Sequence, residues 1–414
     1  MKNTTEEGIE HWKRNIILFF SSQTVSLFGS SLVQYAMMWY ITLHTKSGLM
    51  MTLYIICGFI PTFILSPIAG VWADRYNRKI LIMSADALIA VATLILAIVF
   101  LMGYDATWLL FVMAAIRAVG TGIQTPAVGA ILPQIVPNEK LTQINGINGT
   151  IQAVIMFVSP IVSAALLTMS TIEIIFFIDV ITAAIAILTL LLFFHIPLHK
   201  KATENQTTSY FTDFKEGIKY INEHAFLKIF FLFFAIFFVL MAPAAFLTPL
   251  QVTRTFGDEV WKLTAIEIAF SVGMMVGGGL IASWGGFKNK LYTMTLASVI
   301  MGVCTFALGI VPIFWIYLLF MAIFGIAMPI FNTPTTVLLQ ENVEENYLGR
   351  IFGVFGMIST SMMPIGMLIF GPIADIIKVE WLLIGTGILM LILTIFLGRN
   401  KVLLESGKST LKQP

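Results

Sequence analysis

Gly70-Val-Trp-Ala-Asp-Arg-Tyr-Asn-Arg-Lys79 sets four charges, Asp74, Arg75, Arg78 and Lys79, between two long apolar runs. Only 11% of the 414 residues are charged, so such density needs a cause. The flanking runs are long enough to cross a bilayer, which makes the stretch a short basic loop between two membrane helices. Short basic loops are held on the cytoplasmic side. Placing this loop therefore places every other segment.

The composition agrees. The chain is 58% hydrophobic with a mean hydropathy of +0.92, whereas a soluble domain is roughly half apolar and a quarter charged. An all-α integral membrane protein is expected. Cys57 and Cys304 lie far apart inside apolar runs, and His11, His44, His195, His199 and His224 fall at segment ends or in loops. That leaves no CxxC, HExxH or other metal-ligand spacing, and the thiols are expected to be free and buried. The first apolar run is too long for a signal peptide and lacks a small-residue cleavage site. No metal, organic cofactor or nucleic-acid partner is expected, and a monomer in the lipid bilayer is.

At about 20 apolar residues per crossing, the chain offers twelve spans: near 16–43, 50–73, 80–102, 107–132, 144–168, 172–194, 226–250, 260–284, 291–310, 313–338, 349–374 and 381–398. With the 70–79 loop inside, both termini are inside. Of the 24 Lys and Arg, Arg117 lies within a span and only Lys46, Arg254, Lys262 and Lys378 fall outside, the asymmetry this orientation requires. Tryptophans fall at span ends: Trp12, Trp72 and Trp284 inside, Trp39, Trp108, Trp261, Trp315 and Trp381 outside, as an interfacial aromatic belt demands.

Three stretches divide the chain: an N-terminal six-helix bundle over 1–199, a linker over 200–225 and a C-terminal six-helix bundle over 226–414. In the linker Tyr210, Phe214, Ile218 and Ile221 share one helical face and Asp213, Lys215, Glu216, Lys219 and Glu223 fill the rest. An amphipathic helix on the inner membrane surface is predicted. The halves read as copies. Gly70 aligns with Gly279, Thr125-Pro126 with Thr333-Pro334, and Val136, Leu141 and Gly146 with Val343, Leu348 and Gly353. A parallel repeat of two bundles puts a binding site between halves near the midplane. In the second copy Ser283 replaces the acid of the loop, while Lys288 and Lys290 keep its basic character.

Charge inside a span is expensive and marks function or a buried ion pair. Asp86, Arg117, Asp179 and Glu267 are the four cases. Arginine stays protonated, so the role expected of Arg117 is to keep a nearby carboxylate ionised until substrate or a conformational change breaks the contact. Glu267 lies about two turns into span 8, ahead of Gly273, Gly277, Gly278 and Gly279. It is the principal candidate for carrying a proton, with Asp86 and Asp179 as alternates; for the two aspartates an ion pair that fixes helix packing is the structural alternative. Polar residues recur at helical spacing as Gln23, Ser26, Ser30 and Gln34 in span 1, Thr121 and Gln124 after Arg117 in span 4, and Gln152, Ser159 and Ser163 in span 5. With Asn332 of span 10 they are candidates to line a substrate cavity, although Ser and Gln also serve as packing glue between membrane helices.

The loop pattern Gly-x-x-x-Asp-Arg-x-x-Arg-Lys resembles the loop between helices 2 and 3 of the major facilitator superfamily of transporters, with Asn77 where the family has glycine. Arg117-Ala-Val-Gly-Thr-Gly resembles its helix 4 motif. The run Ala265 to Gly278, Tyr347-Leu-Gly-Arg-Ile-Phe352, Met363-Pro-Ile-Gly366, Asp375, Thr125-Pro-Ala, Val136-Pro-x-Glu-x-Leu-Thr142 and Asp179-Val are similar to its macrolide-efflux branch. The helix 5 motif of the drug antiporters is degenerate here, Ser159-Pro-Ile-Val-Ser-Ala164. The resemblance implies two pseudo-symmetric six-helix bundles in the bacterial cytoplasmic membrane that export hydrophobic drugs by alternating access in exchange for protons. It also implies a latch in which Asp74, with Gly70, Arg75, Arg78 and Arg350 around it, meets the N-terminus of helix 11 near Gly349 and closes the inner gate.

No Gly-x-x-x-x-Gly-Lys-[Ser/Thr] loop exists, so the expected energy source is the proton gradient rather than ATP. One inward proton is worth about 2.3 kcal/mol per 100 mV, enough for about 50-fold accumulation of a neutral solute. The rival readings are an exporter of another amphiphile (a siderophore or a lysophospholipid), a sugar transporter, a membrane-embedded enzyme and a non-transporting sensor or scaffold. The last two lack a midplane His, Asp or Cys cluster and a soluble domain respectively, and no enzymatic activity is expected.

Overall fold

The computed structural model describes residues 12–194 and 210–407, and among them twelve helices are long and apolar enough to cross a membrane. The first six are α1 (Trp12–Thr45), α2 (Gly48–Arg75), α3 (Arg78–Leu101), α4 (Thr107–Ile135), α5 (Leu141–Met169) and α6 (Ile172–Phe193). The amphipathic segment is α7 (Tyr210–Glu223). The remaining spans are α8 (Ala225–Phe246) with α9 (Thr248–Thr255), α10 (Val260–Trp284), α11 (Lys290–Leu308), α12 (Phe314–Asn342), α13 (Glu345–Ile373) and α14 (Val379–Arg399), and a short α15 (Lys401–Ser406) follows. This is the twelve-helix, all-α architecture expected, with the spans in their expected places.

Local chemistry explains where the boundaries differ. Span 7 breaks at Leu247, because Pro249 has no amide to offer the preceding turn and instead opens α9, where a missing N–H costs nothing. Helix 11 begins at Glu345 rather than near Gly349: a polar first turn, with the Tyr347 and Leu348 amides donating to the Glu344 carbonyl, precedes the apolar run. Arg350 is therefore in the second turn of α13. Trp39 is fully buried, 5.6 Å from the Tyr35 ring, instead of standing at an interface. Cys304 is buried as expected, but Cys57 is half-exposed; both are free thiols.

Repeated caps mark the two copies. Asn77 and Asn289 each begin a helix (α3 and α11), and each side chain accepts a hydrogen bond from the amide two residues on. The residue that departs from the family glycine is thus a helix N-cap, a position where Asn is among the preferred residues. Val136 and Val343 end α4 and α12 in the same extended conformation, each amide bonded to a leucine carbonyl four residues back.

The described residues divide into two compact units. The first takes residues up to Ile41 and from Leu53 to Phe194; the second takes Thr42–Thr52 and the residues from Tyr210 onward. In the first, a core cluster around Phe19, Ile82, Ile131, Leu190 and Phe194 gathers one end of α1, α3, α4 and α6 beside the Gly70–Lys79 loop. In the second, the phenylalanines of α8 form the interior: Phe234 and Phe237 lie 5.2 and 5.0 Å from Phe331 of α12. Also in the second, α10 and α12 cross so closely that a Cβ on Gly273 or Gly277 would overlap the Ala322 or Ile326 carbonyl oxygen. The linker helix α7 belongs to this unit. Gly217 meets Arg350 and Val354 of α13, and Tyr220 stacks on Tyr347 at 4.3 Å, so part of its apolar face is covered by protein rather than by lipid.

Candidate functional site

The interior of the first unit holds a polar cluster drawn from four helices. The helical spacing read from the sequence puts Gln23, Ser26 and Ser30 on one face of α1, Asp86 and Thr93 on one face of α3, and Arg117 and Gln124 on one face of α4. Asp179 of α6 completes the set. Nearly all are buried, so their hydrogen bonds decide what each can do.

Three of the four intramembrane charges singled out in the sequence meet here, in two distinct environments. Arg117 donates to Asp179 at 2.6 Å, to Thr93 Oγ1 at 3.2 Å and to the Ser30 carbonyl at 2.9 Å. Asp179 also accepts from Thr93 at 3.2 Å and from the Ser30 hydroxyl at 3.3 Å. It is a charge-paired, fully occupied carboxylate. Asp86 meets no cation among the described residues. One of its oxygens accepts from Ser26 at 2.8 Å and from Gln124 Nε2 at 2.9 Å, and the other has no partner. Gln124 also reaches Gln23 Oε1 at 3.5 Å, leaving Gln23 Nε2 without a partner. One oxygen of the buried acid and, one hydrogen bond further along through Gln124, the Gln23 amide nitrogen are left without partners among the described residues. A carboxyl so placed can hold or release a proton with no ion pair to break.

Glu267 is elsewhere, in the second unit. It makes no hydrogen bond or ion pair among the described residues and is half-buried. Its face of α10 carries Thr264 and Ser271, both buried, at i−3 and i+4. The neighbouring face, Ile266, Gly273 and Gly277, packs against α12, and the exposed face is Val272, Val276 and Leu280. Glu267 thus sits on a polar stripe turned away from the exposed apolar side.

The other predicted residues scatter. Ser163 donates to the Leu32 carbonyl at 3.0 Å, a packing contact between helices, and Ser159 is buried with no partner for its hydroxyl. Gln34, Thr121, Gln152 and Asn332 are exposed and stand outside the cluster. Of the latch residues, Arg78 is buried and holds the loop together, donating to the carbonyls of Ala73 (2.9 Å) and Ala130 (2.7 Å) and to Gln134 Oε1 (3.3 Å). Lys79 reaches the Phe194 carbonyl at 2.7 Å. Arg75 is exposed, and Gly70 meets nothing that a side chain would displace. The Asp74 side chain lies outside the described residues. Arg350 pairs with Glu216 of α7 at 3.0 Å and lies 5.4 Å from the Tyr347 ring centroid.

Thr93 escaped the sequence reading, although its seven-residue offset from Asp86 puts both on one face of α3. Tyr54 escaped as well. Its hydroxyl donates to the Gln34 carbonyl at 3.2 Å, and nothing in the sequence around it signals this.

The sequence profile of the Major Facilitator Superfamily matches residues 19–367. The chain belongs to that superfamily. Macrolide efflux protein A of Streptococcus pyogenes is 30% identical over 391 residues, 94% of this chain and 96% of that protein. Macrolide efflux protein A of Enterococcus faecalis is 31% identical over 312 residues, 75% of this chain and 96% of that one. Among solved structures, a bacterial homologue of the iron transporter ferroportin in an inward-facing state superposes with a TM-score of 0.71 at 14% identity, covering 94% of this chain and 99% of that chain. Membership makes this a multi-pass membrane transporter. The structural likeness speaks for the facilitator fold alone.

Proposed function

We propose that this transporter exports hydrophobic, macrolide-like drugs across the bacterial cytoplasmic membrane in exchange for protons, by alternating access, as a monomer with both termini in the cytoplasm. What carries the drug assignment is the end-to-end similarity to proteins named for macrolide efflux. The basic loop at 70–79 carries the orientation.

The geometry of the acids supports the coupling. Asp86 and Glu267 meet no cation among the described residues and are the two proton carriers, one in each unit. Asp179 is paired with Arg117 and ties α4 to α6. Ser26, Gln124 and Gln23 orient the Asp86 carboxyl, and Ser30 and Thr93 orient the Arg117–Asp179 pair. Gln34, Thr121, Gln152 and Asn332, polar and exposed, and the buried Ser159 are the residues offered to drug. Asp74, Gly70 and Arg75 work with Arg78 as the inner latch, whose loop Arg78 stiffens; Arg350 steadies α13 through Glu216.

The deciding experiment is accumulation of a radiolabelled macrolide in a drug-sensitive bacterial host expressing the chain, with and without a protonophore. Lower accumulation that the protonophore abolishes is expected. Accumulation equal to that of the empty host would end the drug assignment, and exclusion that survives the protonophore would end the proton coupling.

A further inference from the structure

A second cluster lies in the second unit, at the end of α2 opposite the 70–79 loop. The carboxylate of Asp375, two residues beyond α13, accepts from the Gly48 amide at 2.7 Å, the Leu49 amide at 2.9 Å and the Ser47 hydroxyl at 2.7 Å. Those amides open α2, where the first N–H groups have no partner within the helix and the aligned peptide dipoles favour a negative charge. Arg254, in the last turn of α9, donates to the same carboxylate at 2.9 Å, to the Ala374 carbonyl at 2.6 Å and to the Lys46 carbonyl from two of its nitrogens. Lys46 itself has a φ of 46°, in the left-handed region, and its ammonium pairs with Asp258 at 2.9 Å. Thr52 Oγ1 donates to the Met367 carbonyl at 3.1 Å. Gly48 and Gly371 cross so closely that a Cβ on either would overlap the other segment.

We infer that Asp375, held by Arg254, is a conformational latch that grips the α1–α2 turn in one state of the transport cycle and releases it in another. The joint is close-packed where Gly48 crosses Gly371, but its other contacts are polar, and the side chains of Asp375 and Arg254 are 30% and 31% exposed. Water can therefore replace each bond once the geometry is lost, which keeps the cost of opening to the net value of a few hydrogen bonds. A cap on a helix end also acts only within the first turn, so it switches off over a short movement. Partial burial alone would push the Asp375 carboxyl up. The hydrogen bonds from Leu49, Ser47, Gly48 and Arg254 outweigh burial and hold it below the ordinary carboxylate range. Its charge persists at neutral pH, so release comes from movement and not from proton uptake. The arrangement reverses the one the superfamily resemblance implies for Asp74: there an acid at the end of α2 meets the start of helix 11, here an acid beyond the end of helix 11 caps the start of α2.

The test uses the full chain in membrane vesicles, carrying Cys57→Ser and Cys304→Ser. Leu49→Cys and Ile376→Cys, exposed and next to the cap but contributing no side chain to it, are joined by a short bis-methanethiosulfonate cross-linker that reductant removes. Macrolide export should fall at least tenfold on cross-linking and return on reduction; export unchanged in a chain shown to be cross-linked would overturn the latch. Should no form of the chain, including the unsubstituted one, export the probe, the drug assignment fails, and a substrate-free readout decides the latch. Met51 is buried beside the cap, and maleimide modification of Met51→Cys should speed up about tenfold or more with Asp375→Asn, the equivalent of one charge-assisted hydrogen bond. Arg254→Gln should act in the same direction and serves if the Asn variant does not insert. Equal modification rates in the inserted variants and in the Asp375 chain would overturn the latch.

Discussion

Arg117 Nη1 lies 2.6 Å from Asp179 Oδ2 in the interior of the first unit, while Asp86 in the same polar cluster meets no cation and has one oxygen without a partner among the described residues. The same buried setting therefore gives two acids opposite capacities. One is committed to a charge pair, and the other is open to a proton.

The first prediction concerns the committed pair. Removing one member of a buried ion pair strands the other, at a cost of about 3–5 kcal/mol. Arg117→Gln or Asp179→Asn alone should lower the melting temperature of the detergent-purified protein. The double variant, which strands no charge, should recover most of the loss. Single losses that simply add in the double variant would show that the pair contributes nothing by its pairing.

Asp86→Asn keeps the size of the side chain and removes its capacity to take up and release a proton. The variant should insert and melt near the unsubstituted chain, while protonophore-sensitive export falls to background. Glu267→Gln should do the same from the second unit. Undiminished proton-driven export in either variant removes that residue from the coupling, and the two results are independent because the residues belong to different units.

Adjacent glycines of α10 should behave oppositely. A methyl at Gly277 would overlap the Ile326 carbonyl oxygen of α12, whereas one at Gly278 meets nothing within 4 Å. Overpacking costs about 1–3 kcal/mol, so Gly277→Ala should destabilise by that order and Gly278→Ala should be close to neutral. Thermal melts of the two purified variants compare them directly. Equal melting temperatures would mean that the helices part without penalty.

Asp375 carries a pH prediction with a definite sign. Its carboxyl is held below the ordinary value of 3.8, so the folded state prefers the charged form. The stabilisation is fully present above that value and is lost only as pH falls through the lower folded one. The modification rate of Met51→Cys, corrected for thiol ionisation, should thus be flat between about pH 5 and 8, well above the carboxylate range. A rate that climbs on going from pH 8 to pH 5 would show another titrating group in control.

The sequence by itself determined the twelve crossings, the basic loop and the repeat. Hydropathy and helical period are written along the chain, and each span is long enough to average out local exceptions. It also put Gln23, Ser26 and Ser30 on one face and named Asp86, Arg117, Asp179 and Glu267, because charge in an apolar run is conspicuous whatever surrounds it. Their partners were not legible, since Arg117 meets Asp179 across 62 residues of chain and Asp86 meets Ser26 across 60. Only tertiary structure decided that Asp179 is paired and Asp86 open, that Ser163 is spent on the Leu32 carbonyl, that Arg350 binds Glu216, and that Asp375 caps α2. The physical reason is the same in each case: a hydrogen bond depends on a few ångströms between atoms of different helices, and no pattern within a single helix encodes that distance.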